Sequence, residues 1–304
     1  MKKIAVRELA AYIQAQNTDV EICGNQDTKI SGFSSLNHYH PGSITWLKGQ
    51  ANADLNKVKL TAVVCSSEVE VDAEVKLITD NPKEVFFKVV DYLDDCEPAC
   101  GIARTAVFGK NVQIGERVSV GDYCCIGDNV QIGDDTQIEA HVVLERNVKI
   151  GKRCAVKAGA IIGGTGFGYS KTNQDYRKVS HHGSVVVGDD VDIGSNTCID
   201  RGTIDDTVIE DGVKIDNLCY IAHNVMIGKN TCIAACSAIC GSVSIGQNVY
   251  IAPNATVLNQ MQIEDGAVIG MGAGVLNHIP PNTVNIGFPA KTIRSRTEED
   301  WKKY

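Results

Sequence analysis

From Ile102 onward an apolar residue returns at every sixth position: Phe108, Ile114, Val120, Ile126, Ile132, Ile138, Leu144, Ile150, Val156 and Ile162. The register resumes at Val187, Ile193 and Ile199, slips by four residues, and runs again from Ile209 through Ile233 and Ile251 to Val275. A period of six matches neither the 3.6 of an α-helix nor the 2 of a plain strand. It suits a short strand followed by a tight corner. The aliphatic points inward. The Gly, Asp or Asn after it, as at Gly115, Gly121 and Gly127, serves the turn. A small or branched residue four positions on, such as Val112, Val118 or Cys124, points inward again. Three units close a triangular coil of eighteen residues, and coils stack at the strand spacing of about 4.8 Å. Each coil touches only its neighbours, so stability grows along the stack. Aromatics at 6% and 29 glycines suit a core of small and branched aliphatics.

Two interruptions break the period. Gly164 to about residue 185 inserts polar and aromatic residues, which a regular prism must eject as an external loop. The slip from Asp200-Arg201-Gly202 to Asp205-Asp206 predicts a smaller corner loop. Residues 1–100 lack the period and read as a small α/β domain. Val6 to Gln16 is a predicted helix; Val20–Ile22, Ile44–Leu47, Ala62–Cys65 and Lys76–Ile78 are predicted strands. A second helix carries Val85, Phe86, Val89, Val90 and Leu93, with Pro82 near its start. The domain boundary is expected at Glu97–Gly101, the prism over 101–285, and a tail over 286–304 with a closing strand and a helix or frayed end.

The net charge of -8 argues against general nucleic-acid binding, which needs a basic surface. A mean hydropathy of -0.07 and the lack of a long apolar run argue against a transmembrane segment, and Met1-Lys2-Lys3-Ile4 does not read as a signal peptide. The chain has 12 cysteines but no C-x-x-C pair. They read as reduced, buried thiols of a cytoplasmic protein.

Among seven histidines, His223 stands second after the inward Ile221, at a corner of the prism. Its ordinary pKa suits general-base work. One coil later comes Gly241, which has no side chain to block approach and whose backbone N–H is placed to meet an oxyanion beside the base. Acyl transfer needs that pairing.

The hexad repeat resembles the left-handed parallel β-helix of hexapeptide-repeat acyltransferases, an exception to the right-handed crossover rule. The runs Ile199-Asp200-Arg201-Gly202-Thr203-Ile204-Asp205-Asp206-Thr207, Ile215-Asp216-Asn217 and Ile221-Ala222-His223-Asn224-Val225, with the Gly166-Phe167-Gly168-Tyr169 insertion, are similar to the UDP-3-O-acylglucosamine N-acyltransferase family of lipid A biosynthesis. The resemblance covers about residues 5 to 290. It implies that the N-terminal domain binds a uridine nucleotide, with uracil between Trp46 and the Asn81-Pro82 turn. It makes His223 the base, the Gly241 N–H the oxyanion donor, and Asp216 a carboxylate near His223. Asn217 and Asn224 would lie in the cleft, and Tyr169 would reach the acceptor or a neighbouring subunit. Gln260 stands where the family often has a second histidine; it hydrogen-bonds but carries no charge.

The same resemblance implies a homotrimer acting on a UDP-amino sugar. The acyl donor is a 3-hydroxyacyl-acyl carrier protein, its phosphopantetheine in a groove between prisms. Neither a metal nor a cofactor of the enzyme's own is implied. Lys291, Arg294 and Arg296 form a basic cluster suited to an acidic carrier, and the small residues Gly270–Gly274 leave room for an acyl chain. The ending Ile286–Lys291 resembles CoA-dependent sugar acetyltransferases, so an acyl-CoA donor and another nucleotide-linked amino sugar are the alternative. A γ-class carbonic anhydrase, which needs three zinc-binding histidines, is disfavoured because the other histidines here do not show that spacing around His223. A purely structural β-helix is a further rival. A sugar nucleotidyltransferase would need a glycine-rich phosphate loop, absent from the first hundred residues.

Overall fold

The computed structural model describes residues 3–49, 59–94, 101–172 and 175–303. The chain divides into two compact units, Met1–Pro98 and Ala99–Tyr304. The boundary expected at residues 97–100 lies outside the described residues.

In the first unit a five-stranded sheet runs in the order 21–24, 73–78, 60–65, 43–46, 32–33. The pairing is parallel except where Glu21–Gly24 meets Ala73–Ile78. Strand Leu60–Cys65 is central and apolar on both faces. Ala62 and Val64 pack under helices α1 (Val6–Ala15) and α2 (Pro82–Asp94) with Leu9, Ile13, Val85 and Val89. Leu60, Val63 and Cys65 pack on the opposite side with Leu47, Val69 and Val71. The short strands Ile4–Ala5, Lys29–Ile30 and Gly32–Phe33 were not expected; none carries an apolar run that period 2 could detect.

In the second unit the hexads form a three-faced β-helix. Among the described residues its faces hold eight, nine and eleven strands, and away from the two interruptions and the C-terminal cap each hexad strand pairs in parallel with the one eighteen residues away. The inward ladders are completely buried through Ile193, Ile199, Ile221, Ile233, Ile239 and Ile251.

The corners differ from the sequence expectation. The glycine after the aliphatic does not make the turn. The left-handed conformation falls two residues later, at Asn111, Arg117, Tyr123, Asn129 and Asp135, with φ between 54° and 59°. The earlier glycine answers to the next coil instead. At Gly133 a Cβ would lie 2.6 Å from the carbonyl of Gly151. Its smallness admits close stacking rather than a special φ.

The insertion is more ordered than an ejected loop. It leaves as an antiparallel hairpin, Tyr169–Thr172 with Asp175–Lys178, and returns to bury His181 and Ser184 against the prism. The top of the stack is closed by Thr283–Ile286 paired antiparallel with Lys291–Ser295, then by a helix, Glu298–Lys303. This segment fills the room expected at the small residues. A Cβ on Gly270 would meet Ile286 at 2.7 Å, and one on Gly274 would overlap the Phe288 ring.

Among the described residues the cysteines are all free, but only Cys65, Cys124, Cys154 and Cys219 are buried. The uniform burial expected of them fails because hexad position decides it. Cys124, Cys154 and Cys219 occupy the inward position four after an aliphatic, whereas Cys125, Cys198 and Cys232 precede one and face outward.

Candidate active site

His223 follows strand Tyr220–Ile221 of the nine-stranded face, and Asn224 takes the left-handed corner behind it at φ 60°. Asparagine tolerates that conformation readily. Its amide is oriented by the four-residue slip. Asn224 Nδ2 donates to the Asp205 carbonyl at 3.2 Å, while Oδ1 accepts from the Thr203 N–H at 3.0 Å and the Thr203 hydroxyl at 2.9 Å. The atom 3.1 Å from His223 Nδ1 is therefore an acceptor. In the neutral ring Nδ1 then carries the hydrogen and Nε2 keeps its lone pair.

Gly241 packs over the face of the ring on its Nε2–Cε1 side. A Cβ on Gly241 would lie 2.8 Å from both Nε2 and Cε1 of His223 and 3.3 Å from Nδ1. A Cβ on Gly166 of the insertion would lie 2.9 Å from the ring's Cδ2. The imidazole stands between two residues that must be glycine.

At several corners the N–H two positions after an aliphatic is taken by a side-chain oxygen of the next coil. Asp128 accepts from Lys110, Asp134 from Glu116 and Asp265 from Gln247. Above Gly241 stands Asn259, and among the described residues the Gly241 N–H has no acceptor. It borders a pocket of about 570 Å³ lined by Phe167, Tyr220, His223, Cys240 and Gln260.

Asp216 is a correction. It lies one face away, after Lys214–Ile215 of the eleven-stranded sheet. Its carboxylate accepts the N–H groups of Asn217 and Ala235. Asn217 sits at the same corner and accepts from the Ser195 N–H. Six residues along this fold are a rotation to the next face, so nearness in sequence to His223 separates them in space within one chain.

The carboxylate that does belong to the site is Asp200, whose Oδ2 accepts the Tyr220 hydroxyl at 2.7 Å. Burial pushes the Asp200 carboxyl up, against the opposing pull of Tyr220 and the charges of His223 and His181. Burial and the bond to Asp200 push the Tyr220 phenol up in turn. Asp200, Tyr220 and His181 were not singled out from sequence. The available signal was the slip itself, since a break in a regular prism marks where off-period residues are needed.

Tyr169 stays on the hairpin, half-exposed against Phe167 at 5.1 Å; Phe167 rather than Tyr169 lines the pocket. In the first unit Trp46, half-buried against Phe86, lines a pocket of about 480 Å³ with Lys48, Ser66, Asn81, Pro82 and Phe87. The basic cluster is largely spent. Arg294 pairs with Asp300, donating at 2.8 Å, and holds that carboxyl well below the usual range. Arg296 is buried and donates to the carbonyls of Asn248 and Gly266. Among the described residues no helix is long and apolar enough to cross a membrane.

The bacterial transferase hexapeptide (six repeats) family model matches residues 129–164 and 206–241. A UDP-3-O-acylglucosamine N-acyltransferase from Coxiella burnetii is 33% identical over 260 residues, spanning 78% of this chain and 75% of that protein. One from Pseudomonas syringae is 37% identical over 262 residues, covering 78% and 72%. Among solved structures, UDP-N-acetylglucosamine O-acyltransferase from Moraxella catarrhalis superimposes with a TM-score of 0.61 at 26% identity, over 67% of this chain and 77% of that one. The Francisella novicida UDP-N-acetylglucosamine acyltransferase gives 0.61 at 24% identity, over 67% and 73%. The prism is the left-handed parallel β-helix of the hexapeptide repeats.

Proposed function

Because this chain belongs to the family of UDP-3-O-acylglucosamine N-acyltransferases, we propose that it moves a 3-hydroxyacyl group from acyl carrier protein to the C2 amine of a UDP-3-O-acylglucosamine, a step of lipid A biosynthesis. The observation that carries this reading is His223, its Nδ1 facing the Asn224 amide oxygen, packed against Gly241, whose N–H has no acceptor among the described residues, at one pocket.

In the first step the neutral amine attacks the thioester carbonyl while Nε2 takes its proton. The carbonyl oxygen becomes an oxyanion and accepts the Gly241 N–H. Collapse of the tetrahedral intermediate breaks the carbon–sulfur bond, and the imidazolium returns the proton to the departing thiolate. Asn224 keeps the ring in the tautomer this needs. Gln260 borders the same pocket and offers the acyl group or sugar a hydrogen bond. The pocket of Trp46 and Asn81 is the proposed nucleotide site: an indole face for the base and polar groups at the turn. The working form is a homotrimer, and the donor's phosphopantetheine brings the acyl group to His223. The reading places the protein in the cytoplasm, where thiols stay reduced.

Purified protein given a UDP-3-O-acylglucosamine should form the N-acylated product with 3-hydroxyacyl-acyl carrier protein, and slowly or not at all with acyl-CoA, as followed by mass spectrometry. Efficient turnover with acyl-CoA alone would replace the donor assignment. No product with either donor would remove the reading.

A further inference from the structure

We propose that His181, brought back by the insertion, is a positioning residue for His223. It is a second imidazole that fixes the plane of the base and shares the charge the base acquires. The inference rests on the function proposed above.

His181 is 5% exposed, although it arrives from the most exposed segment of the prism. Its Nδ1 lies 3.0 Å from the Val179 carbonyl, which only accepts. In the neutral ring Nδ1 therefore carries the hydrogen, and Nε2 is a lone pair. That Nε2 is buried and has no hydrogen-bond partner. Leaving a buried acceptor unmatched is unfavourable, and a protein keeps one where it has a use. The surroundings are shaped around it. A Cβ on Gly166 would lie 2.8 Å from His181 Nε2 and 2.9 Å from His223 Cδ2, and one on Gly168 would lie 2.8 Å from His181 Cε1. The two rings meet edge to face, with centroids 5.1 Å apart and planes at 68°.

The charged and titratable groups around this pair are few. Asp200, on strand Cys198–Arg201, interacts with both imidazoles. Tyr220, on the strand that leads into His223, holds Asp200 by its hydroxyl. When His223 takes the amine's proton, the new charge is attracted to the Asp200 carboxylate, which interacts with it, and meets the dipole of a neutral His181 at its side. A proton on His181 instead would repel that charge. On this proposal a positive charge on His181 opposes the reaction, so removing the imidazole should change the pH profile.

The test compares His181→Ala and His181→Asn with the unaltered protein, using the UDP-sugar and acyl carrier protein assay. Asn keeps a donor for the Val179 carbonyl and restores packing, but it does not titrate. The expected result is a fall in kcat of about tenfold for both variants with KM nearly unchanged. The acid limb of log kcat/KM against pH should become shallower by about one unit of slope in each variant, on the basis of about one proton lost per titrating group removed. An acid limb in His181→Asn as steep as in the unaltered protein, or full kcat in His181→Asn, would overturn the assignment. Should both variants fold poorly, NMR titration of the histidine Cε1–H signals in the unaltered protein decides: interdependent curves for His181 and His223 support it, and independent ones refute it. His223→Ala in the same assay separates the two readings. If it is inactive while the His181 variants behave normally, only the present inference fails; if it turns over normally, the proposed function fails first.

Discussion

The His223 ring is surrounded by assigned neighbours: Asn224 at Nδ1, Gly166 at Cδ2 and Gly241 over the face on the Nε2–Cε1 side. Gly241→Ala would place a methyl group 2.8 Å from Nε2. The ring would turn and the amide would be screened. We expect kcat to drop by about a hundredfold, with the KM for the UDP-sugar little changed, because the lost interaction belongs to the transition state. Asp200 gives a prediction of the other kind. Its carboxyl is raised in the folded protein, mainly by burial. Such a group stabilises the fold relative to the unfolded chain below the unfolded pKa, and that contribution disappears as pH rises through the folded pKa. Asp200→Asn keeps an acceptor for Tyr220 and carries no charge to bury. Its melting temperature should exceed that of the unaltered protein at pH 7, and the gain should vanish in acid. An equal gain at both pH values would show that burial of charge is not the cause.

The hexad strands could be read from sequence because their burial follows from period alone. Ile239 is one such residue, fully buried in the strand leading to Gly241. Ile239→Ala should cost about 2–5 kcal/mol in urea unfolding. Elements that break the period could be located but not interpreted. The slip at Asp200–Asp206 reads as a spare corner in sequence; in the structure it supplies Thr203 and Asp205, which orient Asn224. Asp216, implied by the resemblance alone, lies seven residues before His223, and in this fold that distance passes a corner onto another face of the same chain. His181 depended on a hairpin whose return path no periodicity describes. Gly241, by contrast, was placed beside His223 by counting one coil, and the geometry puts it there.

At the scale of the whole chain, each unit carries its own pocket, one beneath Trp46 and one beside His223. If the first holds the nucleotide, it contributes equally to ground and transition states. Trp46→Ala should raise the KM for the UDP-sugar by about tenfold and leave kcat nearly intact; a fall in kcat with KM unchanged would move Trp46 out of the binding role. The most direct measurement is turnover by His223→Ala, with a UDP-3-O-acylglucosamine and 3-hydroxyacyl-acyl carrier protein supplied in excess and the product followed by mass spectrometry. We expect a rate at least about a thousandfold below that of the unaltered protein, in line with the loss of a general base. A rate within tenfold of it would mean that this imidazole does not move the proton.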